Sequence, residues 1–230
     1  MRTLDPKWLS DGWFDLSLDP KPTRTQQIRD HLQTLLGTGA LLLKKHESYG
    51  HTSGYYIRET DDGPPVAQYL MSIDHDHSVL SLGLSIEKGE EGRDAASGRT
   101  MNRHAWDWGR LATLRAPSLK EALAAIAKGL GRPLGLFIGT HRIGRSEGDD
   151  EEREEMVFVV TDGHVLRRAC PSSFQEVVDR LAEIDGRRDW WADVWIFCDF
   201  GPTDVARMTP GDAAKILHAF KPLRRILSGK

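Results

Sequence analysis

The stretch "SVLSLGLSIEK" (78–88) constrains the fold more than any other part of this chain. Leu80, Leu82, Leu84 and Ile86 alternate with Ser81, Gly83, Ser85 and Glu87. A period of two puts successive side chains on opposite faces of a strand. The leucines are expected inside, and Ser81, Ser85 and Glu87 in water. A strand of this kind needs neighbours, and the preceding residues supply them. "ALLLKK", "GYYIRET" and "PVAQYLMSI" are short apolar runs separated by turn chemistry, including "DDGPP" at 61–65. Glycine there permits positive φ and proline fixes φ. Together the four runs read as an antiparallel meander.

A helix precedes the meander. "TRTQQIRDHLQTLLG" sets Ile28, Leu32, Leu35 and Leu36 at helical spacing, with a threonine cap before it and Gly37 closing it. Residues 1–22 read as an extended arm, because Pro6, Pro20 and Pro22 flank Trp8, Trp13 and Phe14. "KGEEGRDAASG" (88–98) is polar, Gly-rich and without period, and reads as a linker. Beyond it, "SLKEALAAIAKGLG" is an amphipathic helix with Leu119, Leu123, Ile126 and Leu130 on one face. "PLGLFIG", "MVFVV" and "DVWIFCDF" are buried strands, "TDG" turns into "HVLRRAC", and "SSFQEVVDRLAEI" is a capped helix. "TPGDAAKILHAFKPLRRIL" is a final helix bent at Pro222. Strands first and mixed units later define an α+β fold. The N-terminal helix and four-stranded antiparallel meander occupy 23–98 and a mixed helix/strand lobe occupies 99–230, the two expected as lobes of one compact domain hinged near 88–98.

Composition narrows the functional classes. A formal net charge of −3 excludes a uniformly basic nucleic-acid coat but not a local basic face. No apolar run is long enough for a membrane helix. The start has no basic segment followed by an apolar one, so no secretory signal is expected. Cys170 and Cys198 form no CxxC pair, and Cys198 lies within "VWIFC", where a thiol acts as a small hydrophobe. A disulfide framework is not expected, and a reducing cytoplasm is the expected setting. No motif calls for a cofactor.

Chemistry-bearing residues concentrate in three places. "SIDHDHS" (72–78) alternates Asp74, His75, Asp76 and His77 at the expected reversal between two strands. Aspartate caps turn amides, so an exposed turn is one reading. In an extended segment His75 and His77 would share a side and reach one ion, recruiting His46, His51 or Asp199. Two histidines fall short of the three protein ligands and water of a catalytic zinc. The turn is the expectation, with a metal-dependent hydrolase or nuclease as the alternative.

The second place is 99–115. Wound as a helix, it sets Arg99, Arg103, Trp106 and Arg110 on one stripe and Met101, Ala105, Trp108 and Ala112 opposite. Arginine forks grip phosphate oxygens and an indole stacks on bases. Arg115, Lys128 and Arg132 would extend such a face. The expected function is therefore a non-catalytic binding module for nucleic acid or another phosphate-rich, acidic partner. The acidic run 147–155 (Glu147, Asp149, Asp150, Glu151, Glu152, Glu154 and Glu155) reads as a solvated loop that could mimic phosphate and cover that face. The third place, "RRDWWADVW", carries Trp190, Trp191 and Trp195. Trp195 reads as core. Trp190 and Trp191 cannot both face inward on a strand, which leaves one for a protein partner.

Three stretches have local likenesses to known families. "GYY" with "YLM" is similar to the paired strands of GIY-YIG nucleases, but the second element lacks its glycine and the catalytic helix is missing. "RTMNRH" fits the R-x4-H pattern of HEPN ribonucleases, which are helical bundles. "PVAQYLMSIDHDHSVLSLGLS" (65–85) resembles the strand–turn–strand of the modified-DNA-reading N-terminal domains of McrB-type restriction proteins, without a diagnostic polar motif. That resemblance implies a bacterial defence or regulatory context for a DNA-binding module.

Overall fold

The computed structural model describes residues 24–46, 52–59, 67–74, 79–87, 91–93, 100–102, 117–142, 154–161, 164–167 and 190–228. The fold is α+β. In chain order its elements are α1 (Arg24–Leu36), β1 (Leu41–His46), β2 (Thr52–Glu59), β3 (Ala67–Asp74) and β4 (Val79–Glu87). A short pair follows, β5 (Glu91–Arg93) and β6 (Thr100–Asn102). Then come α2 (Pro117–Leu130), β7 (Leu134–Arg142), β8 (Glu154–Thr161), β9 (His164–Arg167) and β10 (Trp190–Phe200). Three helices end the chain: α3 (Pro202–Val205), α4 (Pro210–Ala219) and α5 (Lys221–Ser228). The arm 1–22 and the helix expected over "SSFQEVVDRLAEI" lie outside the described residues.

Two compact units share these elements, one made of 1–62, 68–84 and 197–221, the other of 63–67, 85–196 and 222–230. Strands β4 and β10 contribute residues to both. In the first unit the strand order is β1-β2-β3-β4-β10. β1 pairs antiparallel with β2, and β2 with β3, in the registers Leu43↔Ile57 and Ile57↔Tyr69. That register stacks one apolar face from Leu41, Tyr55, Ile57, Tyr69, Met71 and Ile73, all buried. Leu80, Leu82 and Leu84 of β4, with Cys198 and Phe200 of β10, are buried too. The expected interior of β4 is thus present, and the thiol of Cys198 is fully enclosed as a hydrophobe.

Ser85 departs from the expectation: it is fully buried, not exposed. Gly83 is buried as well. The cause is position in the sheet. β4 is an interior strand, and its second half, Leu82–Ile86, is covered on both faces, so alternation no longer separates dry from wet. Ser81 is half-buried, and the side chain of Glu87 lies outside the described residues.

α1 belongs to the first unit and packs against α4 and β1. Its buried stripe is Thr25, Ile28, Leu32 and Leu36. Leu35, expected in that stripe, is 40% exposed. It sits at the margin of the face, one turn after exposed His31, and the small Thr25 takes the place nearer the centre. Gly37 ends the helix at φ 65°, donating to the carbonyls of Gln33 and Thr34. Lys221 Nζ donates to the carbonyl of Leu36 at 3.4 Å, adding a cation where the helix leaves acceptors unpaired.

The last helical region is two helices, not one helix bent at Pro222. α4 stops at Ala219, and Phe220 carries the break at φ −82° and ψ −3°. Proline lacks an N–H and its ring would meet the carbonyl four residues back, so continuing one helix through position 222 would cost about 3 kcal/mol. In the first turn of α5 the same residue fits.

α4 starts with a full capping box. Thr209 Oγ1 accepts from the N–H of Asp212 at 3.2 Å, and Asp212 Oδ2 accepts from the N–H of Thr209 at 3.1 Å. The Thr209 hydroxyl also donates to Asp212 Oδ2 at 2.6 Å. The hydroxyl bond foremost, then the backbone bond, holds the Asp212 carboxyl below its ordinary value. A depressed carboxylate stabilises the fold above its unfolded pKa and loses that effect as pH falls through the folded value. Thr209→Ala should therefore cost about 1 kcal/mol at neutral pH. In urea titrations the gap between variant and parent should narrow as pH drops below the ordinary aspartate range, leaving the part due to the Asp212 N–H bond to Thr209 Oγ1; a gap unchanged by acid would mean the Asp212 charge plays no part.

In the second unit the order is β4-β10-β7-β8-β9. β7 and β8 pair antiparallel through Leu136↔Phe158, and β8 and β9 through Val160↔Val165. Leu123, Ile126 and Ala127 of α2 are buried with Leu134 and Leu136 of β7. α2 ends in a Schellman turn: Gly131 has φ 61°, and the N–H of Arg132 reaches the carbonyl of Ala127 at 3.1 Å. Arg224 of α5 is 6% exposed, and its Nε donates to the carbonyl of Ala67 at 2.9 Å.

Candidate functional site

The arginine–tryptophan segment begins with a strand. Thr100–Asn102 pairs antiparallel with Glu91–Arg93 in the registers Glu91↔Asn102, Gly92↔Met101 and Arg93↔Thr100. Two expectations are corrected by this. Residues 88–98 are not structureless linker throughout, since 91–93 is β5. The helix expected over 99–115 cannot run through 100–102, so no helical stripe joins Arg99 to Arg103. The physical reason is competition from a non-local partner: residues 91–93 supply ladder hydrogen bonds that a helical period within 99–115 does not reveal. Arg99, Arg103, Trp106 and Arg110 themselves lie outside the described residues, as does Arg115.

The same pairing brings in a residue that the helical reading missed. Arg93 lies across from Thr100, the neighbour of Arg99 in sequence. Paired residues of antiparallel strands are about 4.5–5.5 Å apart between Cα atoms. Arg93 is therefore brought beside the strand that begins one residue after Arg99 in the sequence, on a two-stranded ribbon. Glu91 is at the other end of that ribbon, opposite Asn102. The signal for Arg93 was the triplet "EGR", too short to show a period.

A second cationic surface belongs to the first unit. Register Leu42↔Arg58 and Lys44↔Tyr56 makes Lys44 and Arg58 diagonal neighbours on one face of β1–β2. Lys44 is exposed and Arg58 half-buried. Among the described residues neither has a salt-bridge partner. Leu42, 44% exposed, shares their face. No linear motif announces this pair, because only the strand register brings the two together.

The histidine reading finds no described support. His51, His75 and His77 lie outside the described residues, and His46 ends β1 with its Cα opposite Gly54. Among the described residues no group of three metal-binding side chains occurs. Asp199, named as a possible helper, points outward from β10. It accepts a 2.7 Å hydrogen bond from Ser81 Oγ of β4, which holds the carboxylate across the strand pair.

Two residues of the acidic run, Glu154 and Glu155, open β8, paired with Thr140 and Gly139, and 147–153 lie outside the described residues. They precede the apolar run "MVFVV" and join the ladder because β7 extends far enough to pair with them. Trp190 and Trp191 begin β10. Trp195 is partly buried against Phe137, with ring centroids 5.5 Å apart and planes tilted by 51°. No helix of the described residues is long and apolar enough to cross a membrane.

No protein-family model, curated protein or solved structure matches this chain.

Proposed function

We propose that this chain is a non-catalytic binding module for nucleic acid or another phosphate-rich partner, gripped by Arg93, Arg99, Arg103 and Arg110 with Trp106 stacking. The observation that carries this reading is the β5–β6 pairing, which sets Arg93 across from Thr100 in an otherwise arginine-rich stretch. A two-stranded ribbon fits a nucleic-acid groove as a helix does, and phosphate contacts need only cations along its sides. Affinity of this kind comes largely from counterion release and weakens steeply with salt.

The test is binding of a generic oligonucleotide, single- and double-stranded, across a salt series. Charge reversal at Arg93, Arg103 and Arg110 should weaken binding uniformly across sequences and lower the salt slope by about 1 per arginine. Trp106→Ala should cost about 1–3 kcal/mol if its indole stacks on a base. Lys44→Glu with Arg58→Glu is the control surface and should change the slope less. No binding at low salt, or equal binding by the arginine variants, sinks the proposal. A larger loss at Lys44 and Arg58 moves the interface to β1–β2.

A further inference from the structure

On the face of β4 and β10 away from the leucines, two buried polar atoms have no hydrogen-bond partner: Ser85 Oγ and Trp195 Nε1. Ser85 alternates with buried Leu84 and Ile86, and Trp195 with buried Val194 and Ile196, so each leaves its strand on the side opposite those apolar chains. The Ser81–Asp199 hydrogen bond shows which faces of the two strands coincide. The strands are adjacent in an antiparallel sheet. Four residues on along β4 and four back along β10, Ser85 and Trp195 face each other or sit one diagonal step apart. Facing pairs hold their Cβ atoms about 4.5–5.5 Å apart and diagonal pairs about 7–8 Å, so the two side chains are within reach of one small molecule.

Buried polar groups are nearly always satisfied, and two orphans brought to one place by register call for a common partner. The indole N–H only donates, and the hydroxyl can donate. A net charge buried here without a counter-ion would be costly, so the fitting partner is an uncharged oxygen with two lone pairs. We propose that Ser85 and Trp195 together hold one such acceptor, the oxygen of an internal water or of a small carbonyl compound, against the wall made by Trp195 and Phe137. Trp195 would then have a polar duty besides packing, and its pairing with Phe137 would fix the direction of its N–H.

The test reads the indole N–H directly. In uniformly 15N-labelled full-length protein the seven tryptophans give separate indole signals, and Trp195→Phe identifies the one in question. Ser85→Ala should shift that signal and lower the Tm by about 2–4 °C, the size expected for one shared hydrogen bond in a chain of this length. A signal unmoved by Ser85→Ala overturns the proposal. So does a Tm that stays or rises, because an orphan hydroxyl costs stability and its removal relieves that cost. A magnetisation-transfer peak from water to the Trp195 N–H assigns the oxygen to solvent. Loss of the shifted position after unfolding, ultrafiltration and refolding, with a carbonyl compound in the filtrate by mass spectrometry, assigns it to a bound molecule.

Discussion

Replacing Phe220 with alanine should lower stability by about 3–5 kcal/mol, the range for a large aromatic removed from a closed interior. Phe220 is fully buried although it lies at a helix break, where side chains usually reach solvent. Its backbone carries the turn between α4 and α5 and donates to the carbonyl of Leu217 at 3.0 Å. Its side chain is fully enclosed. Phe220→Leu keeps most of the volume and should recover all but about 1.5 kcal/mol. Chemical denaturation of the three proteins measures both steps. A loss below about 1 kcal/mol in the alanine variant would mean that the surroundings close over the gap or that the ring is not enclosed in solution.

Arg224→Ala should be the next most damaging change, at about 2–3 kcal/mol. A guanidinium this enclosed is costly to bury unless its donors are used, and Nε is committed to the carbonyl of Ala67. Truncation removes both the bond and the packing of the long stem. Arg224→Met separates the two, since it restores the stem without the donor. Methionine should recover part of the loss, and the remainder reads the hydrogen bond. Arg224→Lys should not reach the parent, because an ammonium at the end of a straight chain cannot donate from the Nε position. If alanine and methionine are equally harmful, packing contributes nothing. If methionine matches the parent, the bond contributes nothing.

Legibility in the sequence followed the range of the interactions involved. The inward face of β4 was readable, because burial of Leu80, Leu82, Leu84 and Ile86 requires only that one side of the strand be covered. The fate of Ser85 was not, since it depends on what lies over the other side of an interior strand. Helix α1 was readable to its closing Gly37, while Leu35 at the margin of its stripe was misjudged. The segment after 99 shows the limit most clearly. Its arginines and tryptophans fit a helical period, yet Thr100–Asn102 extends because Glu91–Arg93 is there to pair with it. Non-local pairing leaves no periodic trace when a strand has three residues. Lys44 and Arg58 were hidden for a related reason, as they become neighbours only through the β1–β2 register.

The way the first unit is assembled bears on how the protein is made. α1 and the meander come early in the chain, but α4, the helix against which α1 packs, follows after more than a hundred intervening residues. At a translation rate of about 5–20 residues per second, the early half waits on the order of ten seconds for its partner. During that interval the stripe of Ile28, Leu32 and Leu36 has no α4 to cover it, and β4 has no β10 beside its edge. An unpaired strand edge and an open apolar stripe are what nascent-chain chaperones bind and what aggregation starts from. Yield in a cell should thus depend on the protection given to a half-made chain as much as on the stability of the finished one.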